Sequence, residues 1–204
     1  MAAGKGTRLK SKRPKVLHEI GGRALLLHVI AAAKTVVPAD RIYCIVGHES
    51  ERVKAAVAAT GVQFVLQADQ RGTGHALQMV KAYFALSGTK PPEHLLVLSG
   101  DVPLIRPETI AAICEVHLQE KAAMTILTAV PDDPHGYGRV LRAREDAPEV
   151  MAIVEQKSLL PEQMGAREIN SGIYCFNTKA LFGKLDSLST NNPHGEFYLT
   201  DVAA

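Results

Sequence analysis

Ile42-Tyr43-Cys44-Ile45-Val46 is a short apolar run rich in β-forming side chains, closed by Gly47. Ser50 to Ala59 follows, with Val53, Ala56 and Val57 at helical spacing, Ser50 placed to cap the helix and Gly61 to stop it. Val62-Gln63-Phe64-Val65-Leu66 then repeats the first pattern. Strand, helix, strand with near-continuous apolar strands is the unit of a parallel sheet covered on both faces.

The same alternation extends outward. Ala24 to Ala33, interrupted only by His28, predicts a buried helix upstream. Downstream, Gly74 to Leu86 sets Leu77, Val80, Tyr83 and Phe84 on one helical face, and Leu95 to Leu98 is a strand ending at Gly100-Asp101. Pro107 suits a first helical position, with Ile110, Ile113, Cys114 and His117 continuing that helix, and Met124 to Val130 is another strand. The last third changes character. Arg139 to Arg144, Val150 to Glu155 and Ile169 to Phe176 are strand-like but separated by polar, irregular segments, which predicts a mixed or antiparallel extension over the same sheet. The expectation is one α/β domain over residues 1–204.

Composition narrows the class. The 204 residues are 47% hydrophobic and 22% charged, enough apolar content for a real core. Lys+Arg 23 against Asp+Glu 21 leaves a net +2, too balanced for electrostatic nucleic-acid binding. No apolar run reaches the ~18–20 residues of a membrane span, and no signal peptide opens the sequence. Cys44, Cys114 and Cys175 are odd in number, far apart and each inside an apolar segment, so they read as buried hydrophobes in a reducing, cytoplasmic setting.

Several segments could carry chemistry. Ala2-Ala3-Gly4-Lys5-Gly6-Thr7-Arg8, with Lys15 beyond it, offers backbone N–H groups and positive charge to phosphate. It is neither a Walker A loop nor a full dinucleotide fingerprint, since position 9 is Leu, and alone it reads as well as a disordered terminus. Asp101, at the end of a buried strand, sits where open α/β sheets bind ligands, and one Asp near phosphate is a typical Mg²⁺ arrangement. It could equally cap the turn before Pro103. Gln67 and the Gly72-Thr73-Gly74 step lie between a strand and a helix. A Gln carboxamide can read a base edge and the glycines admit a flat ring, although a βα loop capped by Thr73 explains the same residues. His135 to Arg139, Val154 to Lys157 and Ile169 to Gly172 put polar residues beside glycine or at strand ends, as sugar recognition or plain turns would. No His-x-x-x-His or Cys-x-x-Cys pair signals zinc, and no Gly-x-Ser-x-Gly elbow signals a hydrolase.

In this order and spacing the segments resemble the sugar-1-phosphate nucleotidyltransferase family, and within it the uridylyltransferase domains that open bifunctional bacterial enzymes. The resemblance runs from Ala2 to Val202. It rests on the Ala2 to Arg8 loop, Pro14 to His18, Leu66 to Gln70, Gly72 to Ala76 and Gly100 to Leu104. Asp133 to Arg139, Ile153 to Glu155, Glu168 to Gly172 and Gly195 to Asp201 complete it. It implies a Rossmann-like doubly wound mixed sheet with an added substrate-binding lobe, the nucleotide-diphospho-sugar transferase type. It implies transfer of UMP from UTP to N-acetylglucosamine-1-phosphate, giving UDP-N-acetylglucosamine and pyrophosphate for bacterial cell-envelope precursors. Carried over, Ala2, Ala3 and Gly4 hold the nucleotide, Arg8 and Lys15 act catalytically on its phosphates, and Gln67, Gly72 and Thr73 read uracil. Asp101 binds Mg²⁺, and Gly138, Glu155 and Asn170 hold the N-acetylglucosamine moiety.

The sequence also departs from the family pattern. The hydrophobic first strand ahead of the glycine loop, a second metal ligand (an Asn beyond Asp201) and the acetyltransferase β-helix that organises a trimer are expected to be absent. Ser99 stands where the family often has Tyr. Two alternatives stay open: a nucleotidyltransferase for another sugar phosphate, and a nucleotide-sugar-binding fragment without turnover.

Overall fold

The structure is a computed structural model that describes residues 1–6, 9–144 and 147–203. A small hairpin, β1 (Glu19–Ile20) and β2 (Arg23–Ala24), leads into α1 (Leu25–Ala33), β3 (Tyr43–Val46), α2 (Ser50–Val57) and β4 (Gln63–Leu66). There follow α3 (Thr73–Ser87), β5 (His94–Val97), α4 (Pro107–Gln119), β6 (Met124–Ala129), β7 (Arg139–Arg142), β8 (Val150–Val154), β9 (Ile169–Asn177) and α5 (Thr178–Leu185).

The decisive stretch folds as read. β3 and β4 pair in parallel from Tyr43 opposite Gln63 to Val46 opposite Leu66. Val53 and Val57 of α2 are fully buried against them, and Gly61 ends the crossover in the left-handed conformation (φ 78°). Ser50 does not cap α2. Glu49 holds that position at φ 50°, and Ser50 is already the first helical residue.

Met1 to Ala3 lie beside β3 as a strand would. Ala2 N donates to Ile45 O (2.8 Å), His48 N to Ala3 O (3.2 Å), and Ala2 bridges Val46 in parallel. On the other side Met1 N donates to Leu98 O (2.6 Å) and Gly100 N to Met1 O (2.8 Å), the alternation of a parallel pair. These residues therefore join the β3–β4 pair to the end of β5.

Beyond β5 the sheet is antiparallel, and here the structure goes further than the sequence reading. β9 is not laid over the sheet but inserted into it, between β5 and β6. Its residues explain why. Tyr174 and Phe176 point to one face, onto Leu77, Val80 and Phe84 of α3 and Leu181 and Leu185 of α5. Ile173 and Cys175 point to the other, onto Ile113 of α4. A strand apolar on both faces needs cover on both, which only the sheet interior supplies. The buried His117 of α4 is satisfied there by Thr125 Oγ1 (2.9 Å) and His94 Nδ1 (3.1 Å).

At its start, β9 leaves β5 and pairs instead with β7, through Ile169 opposite Arg139, while β6 stays on its other edge. β7 in turn pairs with β8. These two strands form the added lobe. Its base is pinned by Arg142, whose Nε and Nη2 grip the two Glu168 carboxylate oxygens at 2.7 Å each. Arg139, read from sequence as the start of a strand after a glycine-rich turn, is buried and binds the carbonyls of Ala166 and Tyr137.

Candidate active site

Because β5 and β7 share one edge of β9, the loop that leaves β5 comes next to the lobe at the carboxyl ends of the parallel strands. Ligands of open α/β sheets bind in that place. Four groups of residues meet there.

The first is the Ala2-Ala3-Gly4 turn. Ala2 and Ala3 are buried (4% and 6% exposed), whereas Gly4 is exposed and a side chain there would meet nothing within 4 Å. Two flanking glycines make room for the turn. A Cβ at Gly100 would come within 2.9 Å of Met1 O, and one at Gly47 within 3.0 Å of Ala3 Cβ. Gly6, at φ +60°, lets the turn close on Lys15, since a Cβ there would sit 2.8 Å from Lys15 Cβ. Thr7 and Arg8 lie outside the described residues, so the place of Arg8 rests on its sequence alone.

Lys15 and Asp101 form the second group, and their side chains make an ion pair. The lysine expected to meet phosphate and the carboxylate expected to meet metal thus stand within reach of one charged ligand. Among the described residues no cluster of three or more His, Cys, Asp or Glu side chains could hold a metal. A single half-buried carboxylate, a hard oxygen donor, fits Mg²⁺, which keeps several waters and takes others of its ligands from substrate phosphates. It does not fit a softer ion that wants thiolate or imidazole.

The third group is the β4–α3 loop, which carries the residues expected to read uracil. Gln67 is only 3% exposed; its Nε2 donates to Gly72 O (3.0 Å) and faces His75 Nδ1 (3.2 Å), so that nitrogen braces the loop. Gly72 is the residue that precedes α3, in a backbone conformation (φ 105°, ψ 175°) open essentially to glycine alone. Thr73 does not cap α3. Its Oγ1 accepts from Leu199 N (3.0 Å). The close approach that Gly72 and Gly74 allow is to backbone rather than to a flat ring. Phe197 N donates to Arg71 O and Gly74 N to Phe197 O, both at 2.8 Å, and the Arg71 guanidinium lies 4.9 Å over the Phe197 ring. Asn192 holds that strap, accepting from Glu196 N and donating to Glu196 O.

The fourth group belongs to the lobe. Asn170 N donates to Gly138 O (2.9 Å), and a side chain at Gly138 would begin 3.6 Å from both Glu155 carboxylate oxygens. The Asn170 carboxamide oxygen accepts from Gly172 N (2.8 Å) and from the Tyr174 hydroxyl (2.9 Å). Burial raises the Tyr174 pKa and the Glu155 charge adds to it, so the hydroxyl stays protonated and donates. Ser99 Oγ donates to Gly172 O (3.2 Å) and ties the Asp101 loop to the part of β9 that leads out of the lobe. Tyr174, Ser99 and the Phe197 strap were not singled out from sequence as site residues. Ser99 stood out only as a departure from the family pattern, Phe197 only within the Gly195 to Asp201 segment, and Tyr174 only through the nearby Gly172.

This arrangement is that of a nucleotide-handling α/β enzyme, and comparison with known proteins agrees. Residues 1–170 match the MobA-like NTP transferase domain, and the chain belongs to that family of nucleotidyltransferases. The chain is 57% identical, over its whole length and 43% of the relative's, to the bifunctional protein GlmU of Koribacter versatilis, whose N-terminal part it matches. It is 45% identical over 99% of its length to the bifunctional protein GlmU of Lactococcus lactis, covering 42% of that protein. The chain therefore spans less than half the length of these curated relatives. Among solved structures, a putative glucose-1-phosphate thymidylyltransferase from Bacillus anthracis superposes with a TM-score of 0.73 at 21% identity, covering 98% of this chain and 78% of that one. A nucleoside-diphosphate-sugar pyrophosphorylase from Vibrio cholerae RC9 gives 0.69 at 16% identity, covering 98% and 83%. At such identities these two establish the fold, the Rossmann-like mixed sheet with an added lobe. Among the described residues no helix is long and apolar enough to cross a membrane.

Proposed function

We propose that the chain transfers UMP from UTP to N-acetylglucosamine-1-phosphate, releasing pyrophosphate. The observation that carries this reading is the meeting of Lys15 and Asp101 beside the Ala2–Gly4 turn, with Ser99 tying the Asp101 loop to Gly172, two residues from Asn170. The relatives named GlmU support the choice of substrates.

In this reading the sugar phosphate attacks the α-phosphorus of UTP in line and pyrophosphate leaves. The nucleophile is already anionic, so no general base is required, and the obstacle is the approach of two anions. Lys15, with Arg8, places positive charge where the transition state gathers negative charge. The turn at Ala2 to Gly4 gives the triphosphate close backbone contact. Gln67, Gly72 and Thr73 set the shape of the loop against which the uracil ring lies. Gly138 leaves room above the Glu155 carboxylate, and Asn170 and Glu155 orient the sugar. A divalent cation, proposed to be Mg²⁺ held by Asp101, supplies charge neutralisation on the phosphates when bound.

A panel of UTP, dTTP, CTP and ATP against N-acetylglucosamine-1-phosphate, glucose-1-phosphate and galactosamine-1-phosphate tests the assignment. The UTP and N-acetylglucosamine-1-phosphate pair is expected to give the highest kcat/KM. A higher value for any other pair overturns the substrate choice.

A further inference from the structure

Cys114 and Cys175 stand 61 positions apart in sequence, yet the fold brings them together. Cys114 lies on the face of α4 that meets the sheet, and Cys175 lies on β9 beneath it, opposite Leu96 on one side and Thr125 on the other. Both belong to one apolar cluster with Ile113 and Ile173, where each thiol lies close enough to the other to shift its acidity. Cys175 is buried (3% exposed), whereas Cys114 is only partly buried and reachable from solvent. Cys44 sits in a different cluster, under α2, where burial raises its pKa and keeps it an unreactive thiol.

We propose that Cys114 and Cys175 are a reversible disulfide site, oxidised by low-molecular-weight disulfides of the glutathione class, and that closing it displaces Asp101. The Cys114 thiolate attacks one sulfur of the oxidant, forming a mixed disulfide and expelling one thiolate. Cys175 then loses its proton, attacks the Cys114 sulfur and expels the second thiolate. One oxidant disulfide is reduced to two thiols, and the protein gains one disulfide by losing two electrons and two protons. Cys114 is fitted to begin the exchange because it is the less buried of the two thiols, and the neighbouring Cys175 lowers its pKa.

The coupling to Asp101 follows from what else packs in that cluster. Val102, the neighbour of Asp101, and Ile105 both lie against it, and α4 starts only at Pro107. A covalent S–S bond is shorter than any non-bonded sulfur contact, so closure draws α4 toward β9 and repacks Val102. This second half rests on the reading of Asp101 given above, and the test separates the two.

The reduced chain is equilibrated with graded ratios of oxidised to reduced glutathione, quenched with acid, alkylated and mapped by mass spectrometry without reduction. A peptide pair linked through Cys114 and Cys175 is expected, reversed by dithiothreitol, with Cys44 still alkylated. The link should be lost in Cys114→Ala and in Cys175→Ala. A Cys114 that stops at the glutathione adduct, or that stays free while a control dithiol peptide is oxidised, overturns the site. UMP transfer by the oxidised chain should fall about tenfold or more, since small misplacements at a reacting centre are costly. It should recover on reduction, and Cys114→Ala under the same oxidant should not lose activity. A linked peptide with unchanged turnover overturns the coupling to Asp101. A reduced chain with no turnover overturns the proposed function while leaving the disulfide result readable.

Discussion

Replacing Gly72 by Ala tests how the β4–α3 loop is held. Gly72 combines two constraints: its backbone (φ 105°, ψ 175°) disfavours any L side chain, and a Cβ there would lie 2.5 Å from Phe197 O and 2.9 Å from Phe197 N. The backbone conformation costs about 1–3 kcal/mol for a non-glycine residue. The clash is with main chain fixed by hydrogen bonds to Arg71 and Gly74, so overpacking adds about 1–3 kcal/mol. The sum of about 2–6 kcal/mol corresponds to a fall in Tm of roughly 4–24 °C at this chain length. Gly88 is the control. It also has positive φ (+68°), but a Cβ there would meet nothing within 4 Å. Gly88→Ala should therefore cost about 1 kcal/mol, from the backbone alone. Both variants would be melted by calorimetry at one protein concentration. A Gly72→Ala loss no larger than that of Gly88→Ala would refute the argument that the Phe197 strap clamps this loop.

Other expectations are checked more simply. Lys15→Ala should lower kcat by ~10²-fold, the scale of a single electrostatic stabiliser; steady-state kinetics showing less than a threefold fall would remove Lys15 from the phosphate site. The Arg142 guanidinium holds the Glu168 carboxyl below its ordinary range. A carboxylate of lowered pKa contributes stability that is fully present above its unfolded value of about 4.3 and is lost as pH falls through the folded value. Glu168→Gln should thus lower Tm near neutral pH, and the gap to the unaltered protein should close as pH drops below about 4; a gap independent of pH contradicts the pairing. Tyr174→Phe removes the hydroxyl that donates to Asn170, and at about 1 kcal/mol for one hydrogen bond the KM for the sugar phosphate should rise roughly fivefold. An unchanged KM would show that Asn170 needs no such support.

How much of this was legible in the sequence depends on the range of the contact. The β3–α2–β4 unit was legible because its signal is local: apolar runs, helical spacing at Val53 and Val57, and a stop at Gly61. The insertion of β9 was not, since the double-sided burial of Ile173 to Phe176 names no partners, and pairing with β5 is set about 80 residues away. The Gly72-Thr73-Gly74 step announced a close approach but not what approaches; Phe197 arrives from the far end of the chain. Ser50 looked like a cap because propensity favours it, whereas the left-handed turn at Glu49 does the work. Gln67 carries the right functional group for a base edge, yet no rule of spacing reveals that its nitrogen is spent on Gly72 O. Cys114 and Cys175 each read as an isolated hydrophobe, and only the packing of α4 on β9 makes them a pair. The candidate site residues were marked by the order and spacing of the segments together, since the glycine loop, Asp101 and the Gly72-Thr73-Gly74 step each read alone as well as a terminus, a cap or a turn.

The most direct test of the central claim mixes the chain with UTP, N-acetylglucosamine-1-phosphate and Mg²⁺ and follows UDP-N-acetylglucosamine by mass spectrometry, with Asp101→Ala in parallel. The account predicts product that accumulates with time and pyrophosphate in equal amount, both lost in Asp101→Ala. A folded chain that forms no product, or an Asp101→Ala variant that forms as much, would contradict it.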